Sequence, residues 1–163
     1  MLLLLWWPGR AAALESWEFG LRGGMDATAL DENYTAGEIY LLRTLPWQAE
    51  LGAAKLLTRI DLGAGYLEAA NDHGGWLAAG ADLVCLLGGG AEIEAGFRPA
   101  WLIDHIYGDD DFGGDLQFVS HGGIGLHAGH FVLSYRFQHL SNASIYNTND
   151  GLDLHLFGVG ARF

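Results

Sequence analysis

A single cysteine, Cys85, occurs in the chain, so no disulfide can close within it and no cysteine-based metal cluster can be assembled. Proline is almost as scarce, with 3 residues against 25 glycines, and charged residues make up only 17%. A water-soluble helical domain carries more charge and far less glycine. Lysine and arginine together number 8 against 20 acidic residues, a net charge of −12. That is too little positive charge to neutralise a phosphate backbone, which excludes a general nucleic-acid binder. No apolar run approaches the roughly 18 residues that a membrane-spanning helix needs. A membrane β-barrel stays open, because it crosses with strands that hide one apolar face in lipid.

What is present fits that last class. Half of the 163 residues are apolar, and the length suits one domain with one interior. The N-terminus, MLLLLWWPGRAAALE, joins an apolar run to the small residues Ala11, Ala12 and Ala13. It lacks a positive leading region, and its apolar run is short for a secretory signal. Residues 1–14 are therefore read as a residual signal segment or an N-terminal arm, and residues 15–163 as a single barrel domain.

From about residue 15 the apolar pattern has period two. Trp17, Phe19 and Leu21 alternate with Glu18, Gly20 and Arg22. A second run starts at Ile39 and ends before Pro46. Further runs follow at about 55–69, 75–87, 91–106, 116–127, 130–141 and 151–163. Eight runs result, most of them long enough for the 9–11 residues of a transmembrane strand. Short turns at 46–49, 88–90 and 128–130 alternate with mostly longer, acidic loops at 23–35, 70–74, 107–115 and 142–150. Such alternation, an even strand count and a terminal aromatic, Phe163, predict an all-β, eight-stranded antiparallel outer-membrane barrel. The soluble alternative is a lipocalin-like barrel with its larger residues pointing inward.

In the seventh run Phe131, Leu133, Tyr135 and Phe137 share one face, and the same parity continues to His139 and Ser141. In the eighth, Asp153 and His155 share the face of Phe157 and Val159. Polar groups are thus placed on the aromatic side, where ionisable residues cost free energy unless they lie near the interface. Same-face neighbours lie roughly 6.6 Å apart along a strand, and antiparallel partners have Cβ atoms about 4.5–5.5 Å apart. If residue 139 stands opposite residue 153, Asp153 can orient His139, and His139 can accept the Ser141 proton. The plainer reading is a set of polar residues at a barrel rim.

The stretch YRFQHLSNASIYNTNDGLDL closely resembles the H-x-S-N-A…N-D-G motif of the PagL-type lipid A 3-O-deacylases, over about residues 135–157. The resemblance implies an eight-stranded outer-membrane barrel that removes the acyl chain ester-linked at position 3 of lipid A. It assigns His139 as base, Ser141 as nucleophile and Asn142 to the oxyanion hole. Asp153 stands where the family usually has glutamate, and Ser144 where the motif often has glycine. Lipid A, or lipopolysaccharide, would be the substrate and the outer membrane the location. The chemistry needs no cofactor and no metal, and a homodimer is compatible with the sequence.

Other polar residues have plainer readings. His155 lies one step deeper on the same face and could compete for Ser141 or Asp153. GDDDFGGD lacks the D-x-[DN]-x-[DN]-G spacing of a calcium loop and reads as a solvated acidic loop, with weak divalent bridging to lipid phosphates as a minor reading. His121, His127, Arg59, Arg136 and Arg162 point into the lumen, the arginines pairing with Asp61 or glutamates. Two other functions stand beside the deacylase: a barrel esterase of a different lipid, such as a phospholipase, and a non-catalytic structural or adhesive barrel.

Overall fold

The computed structural model describes residues 16–27, 30 and 32–163, so the N-terminal segment 1–14 lies outside the described residues. Its elements are β1 (Trp17–Asp26), β2 (Tyr34–Leu51), β3 (Ala54–Ala69), β4 (Asp72–Gly88), β5 (Ala91–Leu102), the two-residue strands β6 (Ile106–Tyr107) and β7 (Asp110–Asp111), β8 (Leu116–Ala128), β9 (Phe131–Ser141) and β10 (Leu152–Arg162). Eight of them form a closed barrel in the order β1-β10-β9-β8-β5-β4-β3-β2, and β6 pairs only with β7. The ends meet where the Trp17 and Phe163 backbones exchange hydrogen bonds of 2.9 Å. Closure leaves no unpaired sheet edge for lipid to desolvate.

The period-two pattern sorts each strand into an outer and an inner face. Phe19, Leu21, Leu77, Ile93, Trp101 and Phe131 are exposed on the outside. Inside, the middle of the barrel is a network of charges. Arg136 donates to Asp61 at 2.7 Å and to Glu94 at 2.7 Å and 2.9 Å. Arg59 donates to Glu92 at 2.8 Å and Glu94 at 3.0 Å. Arg98 holds Glu38, Asp61 and Gln138. His121 meets Asp82 at 3.1 Å and His127 meets Glu92 at 2.7 Å. Buried charges persist only when paired in this way. Arg162 donates to the buried Glu18 at 3.1 Å. The lumenal readings of Arg59, Arg136, Arg162 and both histidines agree with these contacts, whereas a lipocalin-like interior of large apolar side chains does not.

Above the network, towards the long-loop end, the interior turns apolar. Tyr34, Leu67, Leu102, Tyr107, Phe112 and Leu140 pack there in one buried cluster. Tyr107 and Phe112 come from the 103–115 segment, which folds over the barrel mouth rather than extending into solvent. Asp110 in the middle of that segment is buried and accepts a hydrogen bond of 2.9 Å from the Tyr34 hydroxyl. The reading of GDDDFGGD as a solvated loop is therefore corrected. Phe112 gives the segment an apolar anchor, and the neighbouring acids find donors.

Several boundaries differ from the sequence expectation. The second strand begins at Tyr34, not Ile39, and runs through Pro46 to Leu51. Its register with β3 shifts between Thr44 and Gln48, so the proline, which lacks an N–H, sits where the ladder is already broken. The turn expected at 46–49 lies instead at 52–53, with Gly52 at φ 62°. The fifth run ends at Leu102 rather than residue 106, and the 70–74 loop shrinks to a tight turn with Ala70 at φ 53°.

Candidate active site

The β9–β10 hairpin sets the site by register. Asp153 pairs with His139, His155 with Phe137, and Phe157 with Tyr135. His139 Nδ1 lies 2.6 Å from Asp153 Oδ1, with the two side chains 46% and 33% exposed. A direct cross-strand position is what lets the short aspartate reach the ring. With Nδ1 facing the carboxylate, Nε2 is the nitrogen left for proton transfer.

Ser141 ends β9 and is half-buried, on the same outward parity as His139 and Phe137. Gly151 shows how close the base and the serine are. A Cβ placed there would lie 3.1 Å from His139 Cε1 and 3.5 Å from Ser141 Cβ. The ring edge and the serine therefore border one notch, kept open by the glycine of the N-D-G motif. Among the described residues no hydrogen bond joins Ser141 to His139, a looseness common in unliganded hydrolase sites.

Asn142 goes the other way. It is fully buried, and its amide donates to Phe112 O at 2.8 Å and Thr148 O at 2.6 Å. The structure thus brings together His139, Asp153 and Ser141 on one face, but turns the Asn142 side chain inward. After it, Ala143 and Ser144 adopt φ of 52° and 63°, and Ile145 N donates to Asn142 O at 3.1 Å. Ser144 therefore holds a conformation that a glycine adopts without steric cost. His155 engages Tyr135, with its Nδ1 2.8 Å from the hydroxyl, and packs against Phe137 at 5.5 Å between ring centroids.

The sequence reading missed the 103–115 segment as part of the site. Asp111 accepts from Gly113 N at 2.7 Å and from Thr148 Oγ1 at 3.2 Å, and its own N–H donates to Asp150 at 2.9 Å. The Gly113 N–H, followed by the His105 and Thr148 side chains, holds the Asp111 carboxyl below its ordinary pKa, against a smaller opposing effect of burial. The only hint in the sequence was Phe112 standing between acids and glycines. Among the described residues one group has ligand atoms close enough for a metal ion, Asp61, Asp82 and His121. Both Asp61 oxygens are already taken by Arg98 and Arg136, so guanidinium groups occupy the place of a cation.

A family model described as Lipid A 3-O-deacylase (PagL) matches residues 88–162. That segment is similar to the PagL family. It contains His139, Ser141, Asn142 and Asp153, and also the 103–115 segment that packs against Asn142. Among solved structures, the one titled "Crystal structure of the outer membrane enzyme PagL" superposes with a TM-score of 0.78 at 20% sequence identity, covering 88% of this chain and 98% of the other. No curated protein sequence matches the chain significantly. The strands outside the matched segment share the fold of that outer-membrane barrel.

Proposed function

We propose that the protein hydrolyses the ester-linked acyl chain at position 3 of lipid A, with Ser141 as nucleophile, His139 as base and Asp153 as the acid that orients it. The observation that carries this reading is the 2.6 Å contact between His139 and Asp153 on the face and strand end that also present Ser141. Ser141 Oγ attacks the ester carbonyl while His139 Nε2 takes its proton. Asp153 keeps the proton on Nδ1 and stabilises the imidazolium that forms. Hydrogen-bond donors beside Ser141 hold the developing oxyanion. Collapse expels the sugar oxygen, which His139 protonates, and water then releases the fatty acid from Ser141.

An outward site suits a substrate that is itself a membrane lipid. The lumen is filled by the charge network and the apolar cluster, so a lipid would have no room there. On the outer face, at the long-loop end of the strands, the acyl ester reaches the serine without leaving the outer leaflet.

The test is acyl release from purified lipid A by refolded protein in mixed micelles. Wild type should liberate the 3-linked hydroxy fatty acid, and Ser141→Ala should not. Release from phospholipid instead would replace lipid A by another ester substrate. No release from either lipid by folded wild type would leave a non-catalytic barrel.

A further inference from the structure

On the lipid-facing wall, β4 and β5 pair regularly up to Ala78 and Ala100 and again from Ala81 and Phe97, but not at the two positions between. Pro99 stands in that gap and has no N–H to give to the ladder. Across from it is the exposed Ala79, whose side chain is too short to fill the space. The larger Leu77, Trp101 and Leu116 stand around the pair, and together they frame an almost wholly apolar groove of about 340 Å³. Phe118, stacked on Phe97 with ring centroids 5.7 Å apart, stands between the groove and Ser141.

The groove lies on the hydrogen-bonded row of the proposed nucleophile. Ser141 pairs with Phe118, and Phe118 with Pro99. Beyond Ala79 the row continues through Leu62 and Leu41 to Phe19. Ser141 is the last residue of β9, at the long-loop end, whereas Phe19 is close to Trp17 at the short-turn end. The row therefore descends into the membrane as it leaves Ser141. Neighbouring strands are about 4.8 Å apart, which puts Pro99 about 10 Å from Ser141 along the row. With strands tilted by about 40°, the row slopes by the same angle, and Pro99 lies about 6 Å deeper and about 7 Å to the side. An acyl ester held at Ser141 sends its own chain down from the serine, on the near side of Phe118. The groove is displaced too far sideways for that chain, and it opens at the depth where other chains of the same lipid run.

Resting on the deacylase reading of Ser141, we propose that the β4–β5 groove seats a second acyl chain of the lipid being hydrolysed, one that is not cleaved. Lipid tails surround the barrel, so the groove gains nothing by removing a chain from water. It acts by shape, because a chain lodged there fixes the rotation of the whole lipid and with it the ester at Ser141. A lipid whose several chains hang from one sugar core spans the two places with little ordering cost. A two-chain glycerol lipid, with its chains side by side, reaches one place or the other. The groove thus selects a many-chained glycolipid over a phospholipid.

The experiment fills the groove with Ala79→Trp and compares two substrates that share the 3-linked hydroxyacyl ester: lipid A, and a glucosamine carrying that chain alone. Ala161→Trp, outward at the short-turn end, controls for a bulky residue on the lipid face. One methylene of misfit in an apolar pocket costs about 10- to 200-fold, and lipid competing as solvent favours the low end. Ala79→Trp should therefore lower kcat/KM on lipid A by about tenfold and leave the single-chain ester within about twofold of wild type. Ala161→Trp should change neither. Equal losses on both substrates would overturn the proposal, because the groove would then serve the cleaved chain or the fold. An unchanged rate on lipid A would overturn it as well, leaving the groove to bulk lipid. A wild-type dimer that Ala79→Trp dissolves would make the groove a contact between two copies and overturn it too. Ala79→Leu replaces the tryptophan variant if that one does not fold. Binding of both ligands to Ser141→Ala, with and without Ala79→Trp, is a readout independent of the chemistry. Lipid A should bind about tenfold more weakly to the double variant, and the single-chain ester equally to both. An inactive wild type would refute the deacylase reading alone, and the binding comparison would still decide what the groove holds.

Discussion

Replacing Asp153 by asparagine keeps the shape of the side chain opposite His139 and removes its charge. The bond to be lost is 2.6 Å long, between side chains 46% and 33% exposed, so the pair is neither fully screened nor dry. Unit charges about 4 Å apart attract by about 1 kcal/mol in water and about 4 kcal/mol at an effective dielectric of about 20. Loss of the carboxylate alone therefore costs between about fivefold and about a thousandfold in rate. Asparagine adds a second defect, because its carbonyl and amide compete for Nδ1 and the amide selects the tautomer that blocks Nε2 as a base. Asp153→Asn should lower kcat by about 10²–10³-fold with KM nearly unchanged, measured as hydroxy fatty acid released from lipid A micelles. Asp153→Glu restores the family's usual acid, but the aspartate already closes the bond from a directly opposed position. One more methylene has to fold aside, so that variant should lose activity by about tenfold rather than gain it. A folded Asp153→Asn protein with kcat within about twofold of wild type would refute the relay.

The same structure predicts three further outcomes. Gly151→Val fills the notch between His139 and Ser141, and should abolish acyl release in a barrel that still folds, as read by its electrophoretic shift on heating. Arg136→Met leaves Asp61 and Glu94 buried without their shared guanidinium, and should cost about 3–5 kcal/mol of stability, seen as a lower unfolding temperature in detergent. Asp111 has a lowered pKa, so its contribution to holding the 103–115 segment is complete above about pH 4 and is lost as pH falls through the lowered value. Hydrogen exchange in 103–115 should thus be flat from pH 7 to about pH 4, after correction for the intrinsic rate, and rise only below it. An Asp111→Ala protein should show the raised exchange at every pH.

The barrel was legible because its walls obey one rule. Each wall strand must alternate to face lipid on one side and a polar interior on the other, and the glycines on the inner face left the alternation unobscured. The parity that placed His139, Ser141 and Asp153 on one face follows from that rule, and the 139–153 register closes the pair. What stayed hidden depends on contacts distant in sequence. Pro46 looked like the end of a strand, because nothing local shows that the β2–β3 ladder shifts register just there. GDDDFGGD looked solvated because its acids find their donors in Tyr34, Thr148 and Gly113, of which only the last is nearby. Asn142 matched the family's oxyanion residue by position, while its inward direction and its carbonyl partners came into view only with the folded loops.

The most direct test is mass spectrometry of lipid A from a Gram-negative host expressing either wild type or Ser141→Ala in its outer membrane. Wild type should remove one hydroxyacyl chain from position 3 and Ser141→Ala should leave lipid A intact. Unchanged lipid A with a folded, inserted wild-type barrel, or equal deacylation by both proteins, would contradict the account.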